Sequence, residues 1–340
     1  MLIDFHSHFI PGSFPELPQG IEEPAWPRLE LDGQGHGTMF TGARKFRAFD
    51  DIYWDVPRRL AVMDAAGLDM QVISPLPETL SYWLDAAAAV VLTDAMNEAC
   101  AAMVAQAPLR LKGFGAVALQ NPEAAIRQVA DVARMPGMVG IFVGSHVNGK
   151  SIASSEFHLV FAAAEKAGLL VFVHGIKPDI LGKVAGPPLL EAVLGIPQEN
   201  ALALASFIST DILGKFPELK LVFSHGGGTI GAVIDRMTLV WEKFADMRVA
   251  IKIPPLEYAR RFWYDTVVFS PEYLGYLIAR LGADRIVAGT DGPTEIGQTN
   301  LRGFIAATGV DAADQERVGG GNALALFMKT PGIIAIKYMD

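Results

Sequence analysis

The strongest constraint on this chain is a repeated order: a short, nearly uninterrupted apolar run followed by a helical stretch, eight times over. The runs are Leu2 to Phe5, Met70 to Ser74, Leu111 to Val117, Met138 to Val143, Leu169 to Val173, Leu219 to Ser224, Phe262 to Thr266 and Arg285 to Gly289. A strand with one wet face alternates apolar and polar residues, whereas a strand covered on both faces reads as continuous apolar sequence. The intervening segments carry helix signals. Val56 to Ala66 is closed by Gly67, Leu84 to Ala107 is ended by Pro108, and Pro122 opens a helix reaching about Ala133. Glu156 to Ala167, a stretch ending near Leu213, Ile230 to Met247 and Pro271 to Leu281 continue the series. Eight doubly buried strands with helices between them is the count of an α/β (β/α)8 TIM barrel. A doubly wound open sheet shares the local pattern, but no Gly-x-Gly-x-x-Gly follows any run, which weakens a nucleotide-binding reading. With 340 residues, 51% of them hydrophobic, the chain can fill one such barrel as a single domain over 1–340.

Residues 11–55 break the order. They are rich in Pro, Gly and charge, and a segment this long inside a barrel is usually functional. We read it as an insertion subdomain after strand one, with a small hairpin around Leu29 to Arg47.

Composition excludes some classes. The 37 acidic and 28 basic residues leave a net charge of −9 with no basic run, so nucleic acid and anionic membrane are poor partners. No uninterrupted apolar run of 18 residues and no signal-like start are present, so the expectation is a cytoplasmic protein with no membrane partner. Cys100 is the only cysteine, which rules out an internal disulfide and a thiolate metal site and suits a reducing compartment.

The polar residues at strand ends carry the chemistry. His6 and His8 lie two apart at the end of the first run, so both rings leave the same face. Converging neutral imidazoles suit a borderline cation such as Zn²⁺. His174 follows the fifth run, His225 the sixth and Asp291 the eighth. In a barrel these ends form the rim where active sites lie. Each residue alone also has an ordinary structural role, as a hydrogen-bonded edge histidine or a helix cap. Four of the chain's seven histidines at such positions favour a metal site.

Several motifs together resemble a known family. They are Asp4-Phe5-His6-Ser7-His8, Phe46-Arg47, Trp54-Asp55, Val173-His174, Lys215-Phe216-Pro217, Ser224-His225-Gly226-Gly227-Gly228, Gly289-Thr290-Asp291 and Gly321-Asn322-Ala323. The chain resembles, over nearly its whole length, the amidohydrolase superfamily, in the branch of carboxymuconate-semialdehyde and benzoate-type decarboxylases. The His-Gly-Gly-Gly and Gly-Thr-Asp elements are specific to that branch, whereas His-x-His is not. The resemblance implies one divalent metal, zinc with manganese as the alternative, held by His6, His8, His174 and Asp291. It gives Asp291 a catalytic place as well, and makes His225 the group that handles a proton beside the metal. It implies that Arg47 grips a substrate carboxylate and that Arg236 reaches the neighbouring site of a homodimer. The implied reaction is decarboxylation of a small unsaturated or aromatic acid. Hydrolysis of a lactone, amide or carbon–carbon bond is the alternative.

Two departures leave the substrate open. Gly175-Ile176-Lys177 stands where the branch has Pro-Trp, and Gly292-Pro293-Thr294-Glu295 replaces an aromatic-Pro-Phe-Pro run. Lys177 either adds a cation at the rim or is solvated. His146 either approaches the pocket or is a satisfied loop histidine.

Overall fold

The computed structural model describes residues 1–178, 184–187 and 189–328. The eight runs form parallel strands β1 (Ile3–Phe9), β2 (Met70–Pro75), β3 (Leu111–Ala116), β4 (Met138–Gly144), β5 (Leu170–His174), β6 (Lys220–Phe223), β7 (Trp263–Asp265) and β8 (Ile286–Val287), paired in that order. Hydrogen bonds from β1 to the chain leaving β8 bring the two edges together. Phe5 N–H donates to Ala288 O at 2.7 Å, Asp291 N–H to His6 O at 2.8 Å and His8 N–H to Gly292 O at 2.7 Å. The expected (β/α)8 barrel is the observed fold, and its closing seam sets Asp291 beside His6 and His8.

The barrel interior is filled by aromatic rings. Phe5, Phe114, Phe142 and Phe172 are fully buried and meet edge to face or tilted, with centroids 5.4–5.8 Å apart. Such pairs add about 0.5–1.5 kcal/mol each beyond the area they bury. Phe172 precedes His174 by two residues on β5, so it shares that face one layer lower. Its ring lies 5.0 Å from that of His6, and Phe142 lies 5.6 Å from His174. The polar rim therefore stands on a rigid apolar floor.

Two expectations change in detail. The insertion is a three-stranded antiparallel sheet, Pro27–Leu31, His36–Thr41 and Arg44–Asp50, rather than one hairpin. A second reversal at Gly42 (φ +59) produces the third strand, and a Cβ there would stand 1.8 Å from Pro24 O. This sheet has its own small core of Ile10, Met39, Phe49, Tyr53 and Leu76. The helix expected over Ile230 to Met247 breaks at Phe244, whose backbone is extended (φ −115, ψ 121), giving Ile230–Lys243 and Ala245–Ala250. The helix Ala86–Gln106 is long and apolar enough by composition to cross a membrane. Asp94, Asn97 and Glu98 interrupt its apolar sequence, and Ala88, Ala89, Leu92, Met96, Cys100, Met103 and Val104 are buried in the fold.

Candidate metal centre

His6 Nδ1 lies 2.6 Å from Asp265 Oδ2. A carboxylate only accepts, so Nδ1 carries the proton and the neutral ring presents a bare Nε2. His174 Nδ1 donates to Gly175 O at 2.7 Å, with the same consequence. His8 Nδ1 faces Pro75 O (3.3 Å) and Ser74 Oγ (3.2 Å). The Ser74 hydroxyl gives its own hydrogen to Ser7 O, so it is free to accept from His8.

Three bare Nε2 atoms thus point inward. His8 Nε2 is 3.1 Å from both His6 Nε2 and Asp291 Oδ1, and His6 Nε2 is 3.3 Å from the same oxygen. His174 Nε2 is 3.1 Å from His225 Nε2. One donor atom each of His6, His174, His225 and Asp291 lies within 4.8 Å of the others. Lone pairs packed this closely without protons between them repel one another, and a shared cation removes the repulsion. The donor set, imidazole nitrogen with one carboxylate, fits a divalent metal.

Protonation follows the same logic. Burial pushes His8 down to about 4 despite the nearby Asp291 carboxylate. Burial, then the charges of His225, His6 and His8, holds His174 well below the usual range, and burial lowers His225 too. Burial would raise Asp291, but its close contact with His8 and the fields of His6 and His225 outweigh it and hold the carboxyl well below its ordinary value. For His6, burial lowers and Asp265 raises, and the carboxylates prevail. They raise the affinity of Nε2 for a cation, proton or metal alike. Neutral imidazoles beside an ionised carboxylate are the forms that bind metal.

All five expected strand-end residues converge. His225 is as close to His174 as His8 is to His6, so position alone does not divide ligand from proton carrier. His225 (φ +52) and Asp291 (φ +63) both adopt left-handed backbone. That is costly for residues with a Cβ and persists where surrounding contacts impose it. The three glycines after His225 also have positive φ, and a Cβ on Gly228 would lie 1.7 Å from Pro197 O.

Arg47, on the strand Arg44–Asp50, rests its guanidinium on Phe49 (4.9 Å) and Phe46 (5.5 Å), with a buried, unpartnered Nε. Tyr53 feels the charges of both Arg47 and Asp291, after a larger effect of burial. Arg47 thus stands over Phe49, a member of the small core that the insertion sheet forms with Ile10 and Leu76 at the exits of β1 and β2. Arg236 is not brought to the cluster; it is exposed on the helix Ile230–Lys243. Lys177 Nζ lies 3.1 Å from the centre of the Trp83 ring, and burial pushes it down to about 8. His146 is satisfied within its loop: Nε2 faces Ile176 O (3.0 Å) and Lys177 O (3.1 Å), and Nδ1 accepts from Gly149 N–H.

Sequence reasoning missed the support beneath the donors. Asp265, which orients His6, also accepts from the N–H groups of Gly226 and Val267, each at 3.0 Å. Arg59 is fully buried and donates to His8 O and to Gln71 Oε1, each at 2.7 Å. Asp4 accepts from Gln71 Nε2, Thr290 N–H and Thr290 Oγ. The signal for Asp265 was available: it is a carboxylate at the C-terminal end of a strand, as Asp291 nearly is. Arg59 gave none, because Arg58-Arg59 reads as the wet face of a helix.

The sequence profile of the amidohydrolase family matches residues 3–328. A 2-amino-3-carboxymuconate-6-semialdehyde decarboxylase from Dictyostelium discoideum is 30% identical over 331 residues, covering 95% of this chain and 90% of its own length. The crystal structure of 5-carboxyvanillate decarboxylase from Sphingomonas paucimobilis superposes with a TM-score of 0.73 at 29% identity, over 80% of this chain and 82% of that one. A dihydroxybenzoic acid decarboxylase from Polaromonas sp. JS666, solved with bound manganese, matches the fold with a TM-score of 0.74 at 20% identity over 96% of each chain. The profile covers all eight barrel strands and every donor of the cluster, and the chain belongs to the amidohydrolase family.

Proposed function

We propose that the protein is a metal-dependent decarboxylase, a carbon–carbon lyase acting on a small aromatic or unsaturated carboxylic acid. The observation that carries this reading is the convergence of bare imidazole nitrogens on an ionised Asp291, with the half-buried Arg47 on the adjoining insertion sheet, its buried Nε without a partner among the described residues. The similar carboxymuconate-semialdehyde and carboxyvanillate decarboxylases support it. His6, His8, His174 and Asp291 would hold the cation. Their nitrogen-rich set favours zinc, and manganese, which the Polaromonas protein holds, is the alternative. A bound divalent ion supplies Lewis-acid polarisation of a substrate oxygen.

The remaining work falls to the chain. Arg47 can pair bidentately with the substrate carboxylate, its guanidinium plane fixed by Phe46 and Phe49. Loss of CO₂ leaves an electron pair on carbon that must take one proton. His225, next to the cluster and held neutral by burial, is the group to collect that proton and return it to carbon. The buried Phe142 and Phe172 rings make the space below apolar.

A homodimer belongs to the same reading. Arg236 lies eleven residues beyond His225 and six beyond the start of the helix Ile230–Lys243, a little under two helical turns along it. It shares its exposed face with Val233 and Leu239, while Leu202 and Val249 on other helices and Phe244 at the helix break add exposed apolar surface. A two-fold pairing would cover this surface and carry each Arg236 towards its partner's pocket.

The test is product analysis. Metal-loaded protein incubated with a panel of hydroxybenzoic and unsaturated acids should release one CO₂ per acid consumed. A product that keeps every carbon and gains water would make the protein a hydrolase instead.

A further inference from the structure

The exits of β4 and β5 lie side by side, because Gly144 and His174 are partners at the ends of the two strands. Just beyond them, a serine with no part in the reaction described above is buried against a carboxylate. Ser145 Oγ accepts from Ile176 N–H at 3.3 Å and gives its own hydrogen to Glu199 Oε2, 3.4 Å away on the helix Leu189–Ser209. Ser145, Glu199 and His174 keep only 3%, 7% and 5% of their surface, so water competes little for these bonds. The same helix presses on Gly175, where a Cβ would stand 2.3 Å from Ile196 O.

The N–H of Ile176 and the C=O of Gly175 belong to one peptide unit, and a peptide unit is planar. Gly175 O is the acceptor that takes the Nδ1–H of His174 at 2.7 Å. Turning this plane away from Ser145 therefore turns the carbonyl away from His174 as well. The bonds run in one sense from Glu199 through Ser145 and the peptide to the imidazole, and each polarises the next. A more basic carbonyl holds the Nδ1 proton in place and leaves Nε2 the better donor to a cation. His146 anchors the same loop through later peptide units, with its Nε2 facing Ile176 O and Lys177 O at 3.0 and 3.1 Å. We propose that Ser145 is a positioning residue for His174, fixing the tautomer and aim of that ring through the Gly175–Ile176 peptide, with Glu199 as its anchor. The proposal rests on the reading above in making His174 a metal ligand.

Two readouts test it without turnover. Zinc dissociation constants are measured by competition with a chelating dye on wild type, Ser145→Ala, Ser145→Thr and His146→Ala. Hydrogen exchange of the His174 Nδ1–H is followed by nitrogen-15 NMR on the same proteins as purified, the signal being assigned by its loss in His174→Gln. Ser145→Ala should bind zinc ~10-fold more weakly and exchange that proton ~10-fold faster. Ser145→Thr, which keeps the hydroxyl, and His146→Ala, which leaves the Gly175–Ile176 peptide in place, should each stay within ~3-fold of wild type. No change in Ser145→Ala, or an equal loss in either comparison variant, would overturn the proposal. Should Ser145→Ala not fold, Glu199→Gln keeps an acceptor for the hydroxyl without the charge; a loss of ~3-fold is expected there, and unchanged values would overturn the proposal too. A wild type that binds no zinc would sink the metal reading, and the exchange of the His174 proton would then decide the role of Ser145 alone.

Discussion

His6 donates its Nδ1–H to Asp265, and that one bond fixes both the tautomer and the aim of the ring. Asp265→Asn keeps the shape but can turn an amide N–H towards the ring. Losses from such supporting groups are ~10–100-fold in metal affinity, and competition with a chelating dye should show a fall of that size. His225 lies as near the cluster as the expected ligands, so its role is settled by what its removal takes away. His225→Ala should keep the metal and lose ~10²–10⁴-fold in kcat, the usual worth of an acid–base group. Metal loss in that variant would make His225 a ligand. The five converging residues were legible because each sits where a barrel strand ends, a position that sequence order reveals. Asp265 was not singled out because a carboxylate after Trp263-Tyr264 reads equally as a cap or turn residue, and only the folded partner ring gives it a task.

At the scale of elements, the eight strands were legible because strands buried on both faces cannot alternate. What local pattern could not supply was where regularity stops. The run from Ile230 keeps a helical period past Phe244, while the backbone there is extended. Arg59 shows the complementary limit. It begins a helix with Arg58 and reads as solvated, yet it is fully buried and ties that helix to the His8 carbonyl and to Gln71 on β2. The network joins helix, β1, β2 and, through Asp4 and Thr290, the exit of β8. Arg59→Met would leave those acceptors buried without donors. Breaking one side of a buried charged network costs ~3–5 kcal/mol, so urea unfolding of the variant should show destabilisation of that order.

For the whole molecule, one end of the barrel carries the metal centre, and the insertion sheet packs there with Ile10 and Leu76, at the exits of β1 and β2. A side of the helical layer exposes Leu202, Val233, Leu239, Phe244 and Val249 around Arg236. If two copies meet there, each pocket borrows an arginine. Two inactive variants, His225→Ala and Arg236→Ala, should then regain activity when mixed and allowed to exchange subunits. Each mixed dimer would hold one site with both residues intact. No recovery despite demonstrated exchange would mean that Arg236 serves its own chain or none.

The central claim is that the strand-end residues hold one divalent metal, and elemental analysis tests it most directly. Protein prepared without chelator should contain about one equivalent of zinc or manganese per chain, and His6→Ala and Asp291→Ala should each lose it while remaining folded. Full metal content in both variants would contradict the account.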